Sequence, residues 1–227
     1  MIIQIYAFTD PETARAAAQY GVDHIGFIAG KYGIVKGELD FAEAQEIIAA
    51  LPSKAVSVAL TMSADVEEIV HMASEVQPDI VHISSDPTYV DVSAMIKLRS
   101  RLSSDIRLMK AVPVGDEDSI SLAKQFAEVS DLLLLDTERK GFPGVGATGS
   151  THDWSISCQI VESVSIPVIL AGGLTKDNVG AAIRTVMPWG VDSNTSTNLP
   201  GDPVKKDLAR IDAFVKSVRA NEESGKP

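Results

Sequence analysis

Two short stretches combine residue types suited to holding an anion. Val168 to Thr175 reads VILAGGLT and Gly190 to Ser196 reads GVDSNTS, each a short apolar strand running into small, Gly-rich or hydroxyl residues before a helix. Backbone N–H groups approach an anion closely only where side chains are absent, and a following helix N-terminus adds partial positive charge. Gly172, Gly173, Asn194, Thr195 and Ser196 are therefore expected to cradle a phosphate, an ordinary strand-to-helix turn being the competing reading of the glycine pair. Asp136 closes the all-aliphatic run Leu132 to Leu135. A carboxyl among apolar neighbours has its pKa raised and can deliver a proton near neutrality. The alternative is a cap or an ion pair with Arg139 or Lys140. Lys110, near the end of another strand, could form a Schiff base if its pKa were depressed. His82 alternates with Val81 and Ile83, which suits either a packed, hydrogen-bonded histidine or a ligand contact. His24, His71 and His152 fall on different elements without ligand spacing, so no metal site and no cofactor are expected.

Short apolar runs alternate with segments of helical period about eight times along the chain. Strands are expected at Ile2 to Tyr6, His24 to Ala29, Val56 to Leu60, Asp79 to Ile83, Ile106 to Val112, Leu132 to Leu135, Pro167 to Ala171 and Gly190 to Ser193. Helices are expected from Pro11 to Tyr20, behind an N-cap at Thr9 or Asp10, and at Asp40 to Leu51, Ala64 to Val76, Val92 to Leu102 and Ser119 to Val129. Three more follow at Asp153 to Val164, Lys176 to Thr185 and Val204 to Arg219. Aliphatic runs such as LLLL suit strands buried on both faces, as in parallel sheets. Consecutive β/α units in this number predict an α/β protein with a single-domain (β/α)8 TIM barrel over residues 1–220, followed by a polar C-terminal tail at 221–227. A doubly wound open sheet would carry a Gly-rich fingerprint after its first strand, where Tyr6-Ala7-Phe8-Thr9 stands instead. In a barrel the chemistry sits where strands end, which places Tyr6, Ile28, Leu60, Ser84, Val112, Asp136, Gly172 and Asn194 around one mouth. The loop from Thr137 to Ser150 is the longest interruption, and long loops in compact domains are more often functional than idle.

The formal charge of −11 disfavours nucleic acid and anionic membranes as partners, since both demand clustered Lys and Arg. Cys158 is the only cysteine, which excludes an intramolecular disulfide. The opening MIIQIYAFTD lacks a basic segment before an apolar run, and no stretch reaches the about eighteen apolar residues of a spanning helix. A soluble cytoplasmic protein, monomer or homodimer, is the expectation.

The ordered motifs of the last loops are similar to those of the phosphoribosylanthranilate isomerase family, barrel enzymes that carry out an Amadori rearrangement on a phosphoribosyl amine. The family's GGTG run followed by DW resembles Gly146-Ala147-Thr148-Gly149 and Asp153-Trp154; its PVILAGGL is matched by Pro167 to Leu174, with Asn178-Val179 following. Its GVD, small-residue phosphate loop and PG are similar to Gly190-Val191-Asp192, Asn194-Thr195-Ser196 and Pro200-Gly201. Weaker matches at Gly26-Phe27-Ile28 and Lys110-Ala111 extend the likeness over nearly the whole chain. The resemblance implies a small phosphorylated sugar or sugar-amine as ligand, an aldose–ketose type isomerisation, and Asp136 as general acid. It makes His82, Lys110, Thr148 and Gly149 candidates for the substrate pocket.

The chain departs from the family at substrate-facing positions. The family's general-base cysteine in a KICG strand is replaced by Tyr6, and a phenol of pKa about 10 is a poorer base than a thiol of about 8.5. Tyr6 either takes over a binding or catalytic role or fills space. A substrate-holding arginine after the second strand is absent, leaving Lys31 or Lys36 to meet an anion. The family's VQLHG is here Val81-His82-Ile83-Ser84-Ser85, and the phosphate loop has Ser196 for a glycine and Asn198 for a glutamate. Two alternatives stay open on the sequence: an epimerase or aldolase acting on another phosphosugar, and a non-catalytic phosphosugar-binding protein.

Overall fold

The computed structural model describes residues 1–138, 143–146 and 151–222. Its elements follow in order as β1 (Ile2–Ile5), α1 (Pro11–Gln19), β2 (His24–Ala29), β3 (Glu38–Leu39), α2 (Phe41–Ala50), β4 (Val56–Thr61), α3 (Val66–Val76), β5 (Ile80–Ile83) and α4 (Val92–Arg101). The second half runs β6 (Arg107–Val114), α5 (Asp118–Ala127), β7 (Leu132–Thr137), α6 (Trp154–Ser163), β8 (Val168–Leu170), α7 (Val179–Val186), β9 (Gly190–Ser193) and α8 (Leu208–Glu222). All strand pairs are parallel. β1 pairs with β9 on one side and β2 on the other, so the sheet closes into an eight-stranded barrel with β3 added outside β2. The expected (β/α)8 barrel is the fold. No helix of the described residues is long and apolar enough to cross a membrane.

The two-residue period of the strands sorts the core into two layers. Odd positions of β1, β2 and β5, such as Ile3, Ile5, Ile25, Phe27, Val81 and Ile83, face the helices with Leu133, Leu135, Val168 and Leu170. Tyr6, Ile28, Val58, Ile80, Met109, Leu132, Leu134, Ile169 and Ala171 fill the barrel interior. Gly26 belongs to the interior set and makes room for the Tyr6 ring, which a Cβ there would strike. Burying large side chains such as Phe8, Phe27, Phe126 and Phe214, all at most 1% exposed, contributes roughly 1.5–3 kcal/mol each.

Helix starts follow the capping chemistry written in the chain. Asp10 accepts from Thr13 N–H at 2.8 Å ahead of Pro11, and Asp153 accepts from Ser155 N–H at 2.9 Å, which makes the DW motif a helix start. At α2, Asp40 Oδ1 accepts from Glu43 N–H (2.9 Å) while Glu43 Oε2 accepts from Asp40 N–H (2.8 Å), a reciprocal capping box. Replacing Asp40 by Ala is expected to lower stability by about 1 kcal/mol, read as a shifted denaturant midpoint with an unchanged slope.

Three boundaries differ from expectation for local reasons. α7 begins at Val179 because Asn178 turns its side chain back, accepting from Thr175 N–H (2.8 Å) and donating to Gly173 O (3.0 Å). α8 begins at Leu208 because Val204 to Asp207 run as a strap under the preceding loop, Lys206 bridging to Asn198. α8 also continues to Glu222, past the expected end of the barrel. Thr195–Thr197 form a single 3-10 turn and Glu38–Leu39 a short strand, neither expected from periodicity.

Candidate active site

A cavity of about 930 Å³, its open mouth included, lies at the C-terminal ends of the barrel strands. Small-molecule sites span about 300–1,000 Å³. It is lined by Tyr6, Ile28, Leu60, His82, Leu134, Asp136 and Asp192 from the interior, and by Gly172, Gly173, Asn194 and Thr195 from the last two loops. Ser84, Met62, Val145, Val35 and Lys36 complete the rim.

The phosphate-type loops stand side by side. Gly172 has φ +88° and Gly173 φ +59°. A Cβ on Gly172 would come 2.7 Å from Thr137 Oγ1 and 3.0 Å from His152 Nδ1, so glycine is required there both for conformation and for space. Among the described residues, no backbone acceptor takes the N–H of Gly172, Gly173, Leu174 or Thr195. Such N–H groups at the head of a helix and of a 3-10 turn are of the kind that can hold an anion. The two loops are stapled together by Ser193 Oγ and Ser196 Oγ, each donating to Leu174 O at 2.9 Å. The Ser196 side chain is thus structural and does not line the cavity, unlike Asn194 and Thr195.

Beneath the second loop, and ahead of the last helix rather than within it, lies Lys206. Its ammonium donates to Asn194 O (3.0 Å), Asn194 Oδ1 (3.0 Å), Thr197 Oγ1 (3.3 Å) and Asn198 Oδ1 (2.6 Å). Burial lowers its pKa to about 7, against the opposing pull of Asp192. Asn198, in the place of a family glutamate, is one of its four acceptor contacts.

Asp136 ends the interior row Leu132, Leu134, Asp136 of β7. Gly146 lies over its carboxyl so closely that a Cβ there would overlap Oδ2, and Thr137 N–H donates to Oδ1 at 2.7 Å. Burial raises its pKa to about 6, with the Thr137 bond opposing. Arg139 and Lys140, the alternative ion-pair partners, lie outside the described residues, as do the pocket candidates Thr148 and Gly149. The described part of that loop is fastened across the mouth: Val145 N–H donates to Ser84 O (2.8 Å) and Asp86 N–H to Pro143 O (3.1 Å).

Tyr6 and His82 meet inside the cavity, Tyr6 Oη lying 2.9 Å from His82 Nδ1. Burial, reinforced by the charge of Asp192, holds the phenol well above its ordinary pKa. Burial and the charge of Lys110 lower His82 to about 3. Asp192, not singled out by the sequence reading, is also raised, to about 7, by burial and by Asp136, with Gln4 and Lys206 pulling the other way.

Lys110 is not in the pocket, contrary to expectation. Its strand neighbour Met109 faces the barrel interior, so Lys110 points to the helix layer. It is fully buried there, donating to Ser85 O at 2.6 Å with its ammonium 5.3 Å from the Phe126 ring centre. Burial lowers its pKa to about 7, and Lys110 is not among the residues that line the cavity. Of the two lysines offered for the missing arginine, Lys31 is held by Asp40 (3.2 Å) and Glu43 (3.1 Å), whereas Lys36 lines the cavity. Glu38 shapes the loop that carries Lys36, accepting from the N–H groups of Gly33, Ile34 and Val35 at 2.6–3.0 Å. The remaining histidines are structural: His24 packs on Trp189, His71 edge-on to Phe41, and His152 Nε2 bonds Ser157 Oγ at 2.7 Å.

A family model described as N-(5'phosphoribosyl)anthranilate (PRA) isomerase matches residues 3–217. The chain is 38% identical over 215 residues to N-(5'-phosphoribosyl)anthranilate isomerase 2 of Methanosarcina mazei, covering 95% of this chain and 92% of that protein. Among solved structures, the phosphoribosyl anthranilate isomerase of Thermotoga maritima matches at 27% identity with a TM-score of 0.80, covering 97% and 100% of the two chains. A phosphoribosyl anthranilate isomerase in complex with reduced 1-(o-carboxyphenylamino)-1-deoxyribulose 5-phosphate matches at 26% identity with a TM-score of 0.78 over the same shares.

Proposed function

Because this chain belongs to the N-(5'-phosphoribosyl)anthranilate isomerase family, we propose that its cavity takes the phosphoribosyl amine of anthranilate and converts the aldose amine to the 1-amino-1-deoxyketose. The phosphate rests against Gly172, Gly173, Asn194 and Thr195, and the sugar lies between Asp136 and Tyr6. Lys36 meets the anthranilate carboxylate at the opposite rim as a point charge in place of the family's guanidinium. Asp136 is the general acid that protonates the ring oxygen as the furanose opens. The observation that carries this reading is a carboxyl raised to about 6 in the same cavity as a paired anion cradle. Such a group holds a proton long enough near neutrality to give it away. With a net charge of −11 and a lone thiol at Cys158, the proposed partner is this small metabolite rather than nucleic acid, and the proposed setting is the cytoplasm.

Purified protein given N-(5'-phosphoribosyl)anthranilate is expected to yield 1-(o-carboxyphenylamino)-1-deoxyribulose 5-phosphate, followed by chromatography. Absence of turnover at saturating substrate would sink the reading. Gly172→Ala is expected to raise KM at least about tenfold, a loss of about 1.4 kcal/mol of binding. The added methyl enters the space of Thr137 and His152 and strains the φ of +88° that aims the N–H.

A further inference from the structure

The isomerisation needs a group that accepts a proton from carbon as well as one that gives a proton to oxygen. The following rests on the functional reading above. Tyr6 occupies the position where the resemblance places a basic thiol, but its phenol is buried, bonded to His82 and disfavoured as an anion by the nearby charge of Asp192. His82 binds a proton too weakly to serve, since burial and Lys110 oppose its cationic form. Its Nε2 is buried without a hydrogen-bond partner among the described residues. Orphaned buried N–H groups are rarer than orphaned acceptors, so the imidazole proton belongs on Nδ1, donated to Tyr6 Oη. The phenol's own hydrogen is then available to the cavity, which makes Tyr6 a donor rather than a base.

Asp192 is differently placed. It lies on the inner face of β9 and lines the same cavity as Asp136 and Tyr6. Gln4 is in register with both His24 and Asp192, and the three form one polar level across the barrel. Gln4 Nε2 donates to Asp192 Oδ1 (3.1 Å), and Gln4 Oε1 accepts from His24 Nδ1 (3.1 Å). Among the described residues no hydrogen bond falls on the other carboxylate oxygen. The amide of Gln4 and the ammonium of Lys206 both favour the ionised form of Asp192, while among the described residues the hydrogen bond on the Asp136 carboxyl comes from Thr137 N–H. When the two carboxyls share one proton, the Gln4 amide and the Lys206 ammonium stabilise the arrangement in which Asp192 is the ionised member and Asp136 carries the proton.

We propose that Asp192 is the catalytic base of this chain, paired with Asp136, and that Tyr6 has become a hydrogen-bond donor to the substrate. Asp136 gives its proton to the ring oxygen as the C1–O4 bond breaks, and the nitrogen lone pair forms the C1=N iminium. Asp192 removes the C2 proton; the C–H electrons become the C1=C2 bond and the iminium π electrons return to nitrogen. Asp192 then gives its proton to C1 while Asp136 takes the proton of the C2 hydroxyl, leaving the ketone. Both carboxyls return to their starting states and no oxidant or reductant is involved.

The test compares Asp192→Asn, Tyr6→Phe and the wild-type enzyme, with substrate carrying hydrogen or deuterium at C2. Asp192→Asn retains the acceptor for Gln4. It is expected to lower kcat at least about 100-fold, the scale of a lost general base, with little change in the Kd of reduced 1-(o-carboxyphenylamino)-1-deoxyribulose 5-phosphate, which also reports that the variant is folded. Its isotope effect should rise, because C2 deprotonation becomes the slow step, whereas in Asp136→Asn it should fall. Tyr6→Phe is expected to lose less than about tenfold, the size of one neutral hydrogen bond. Asp192→Asn retaining more than about a tenth of wild-type kcat, or Tyr6→Phe losing as much as Asp192→Asn, overturns the assignment while leaving the isomerase reading intact. Wild-type protein that fails to turn over overturns both.

Discussion

Asp136→Asn is expected to lower kcat by about 10²- to 10⁴-fold, the usual contribution of a positioned acid, and at the same time to make the protein more stable at pH 8. The two effects share one cause. Burial beneath Gly146 raises the Asp136 carboxyl to about 6, against about 3.9 in an unfolded chain. Between those values the folded chain binds more protons than the unfolded one, so stability falls as pH rises from about 4 to about 6. Above that window the ionised carboxylate costs the fold about 1–3 kcal/mol, with cavity water reducing the full two-unit value. Asparagine has no charge to desolvate and still accepts from Thr137 N–H. The variant's advantage in Tm should therefore be largest at pH 8 and vanish near pH 4. A difference that is flat over this range would show that Asp136 is not held in the environment described.

Lys206→Met is expected to raise KM at least about tenfold for the phosphorylated substrate and to lower stability by about 2–4 kcal/mol, as oxygens left without a donor cost about 1–3 kcal/mol each. The ammonium satisfies Asn194 O, Asn194 Oδ1, Thr197 Oγ1 and Asn198 Oδ1 at once and supplies positive charge behind the anion cradle. Its removal loosens the 3-10 turn that presents Thr195 and takes away the weaker of the two influences that favour ionised Asp192, the Gln4 amide staying bonded to that carboxylate. kcat at saturating substrate should change far less than KM, and the Kd of inorganic phosphate should rise in parallel. Equal losses in kcat and KM would mean that the whole barrel mouth, rather than the phosphate loop, depends on this residue.

Much of the molecule was readable from the chain. Every barrel strand lies within a residue or two of its apolar run, because a strand buried on both faces must be almost wholly apolar. Asp10, Asp40 and Asp153 start helices as short polar side chains before apolar periods should. Gly172-Gly173 and Asn194-Thr195 are adjacent at the mouth because consecutive parallel strands in a barrel end on the same rim.

What the chain did not give were facts of direction and of distant contact. The same two-residue period that places Asp136 inside the barrel places Lys110 outside it, and Met109 beside it carried that signal. Asp192 carries no role on the sequence beyond its place in the strand Gly190 to Ser193 and the GVD motif, whereas the barrel brings its carboxyl into the cavity with Tyr6. Lys206 falls within the helix expected from Val204 to Arg219, because nothing local shows that four residues before α8 pass under the 3-10 turn. By itself the sequence determined the strand and helix order, the closed barrel and the shared rim on which the loops of the proposed anion cradle stand, since all three follow from local pattern and the rule that strand ends share a rim. Only the tertiary structure decided which titratable groups face one another, because burial and mutual charge set their pKa values and neither is a property of residues near in sequence.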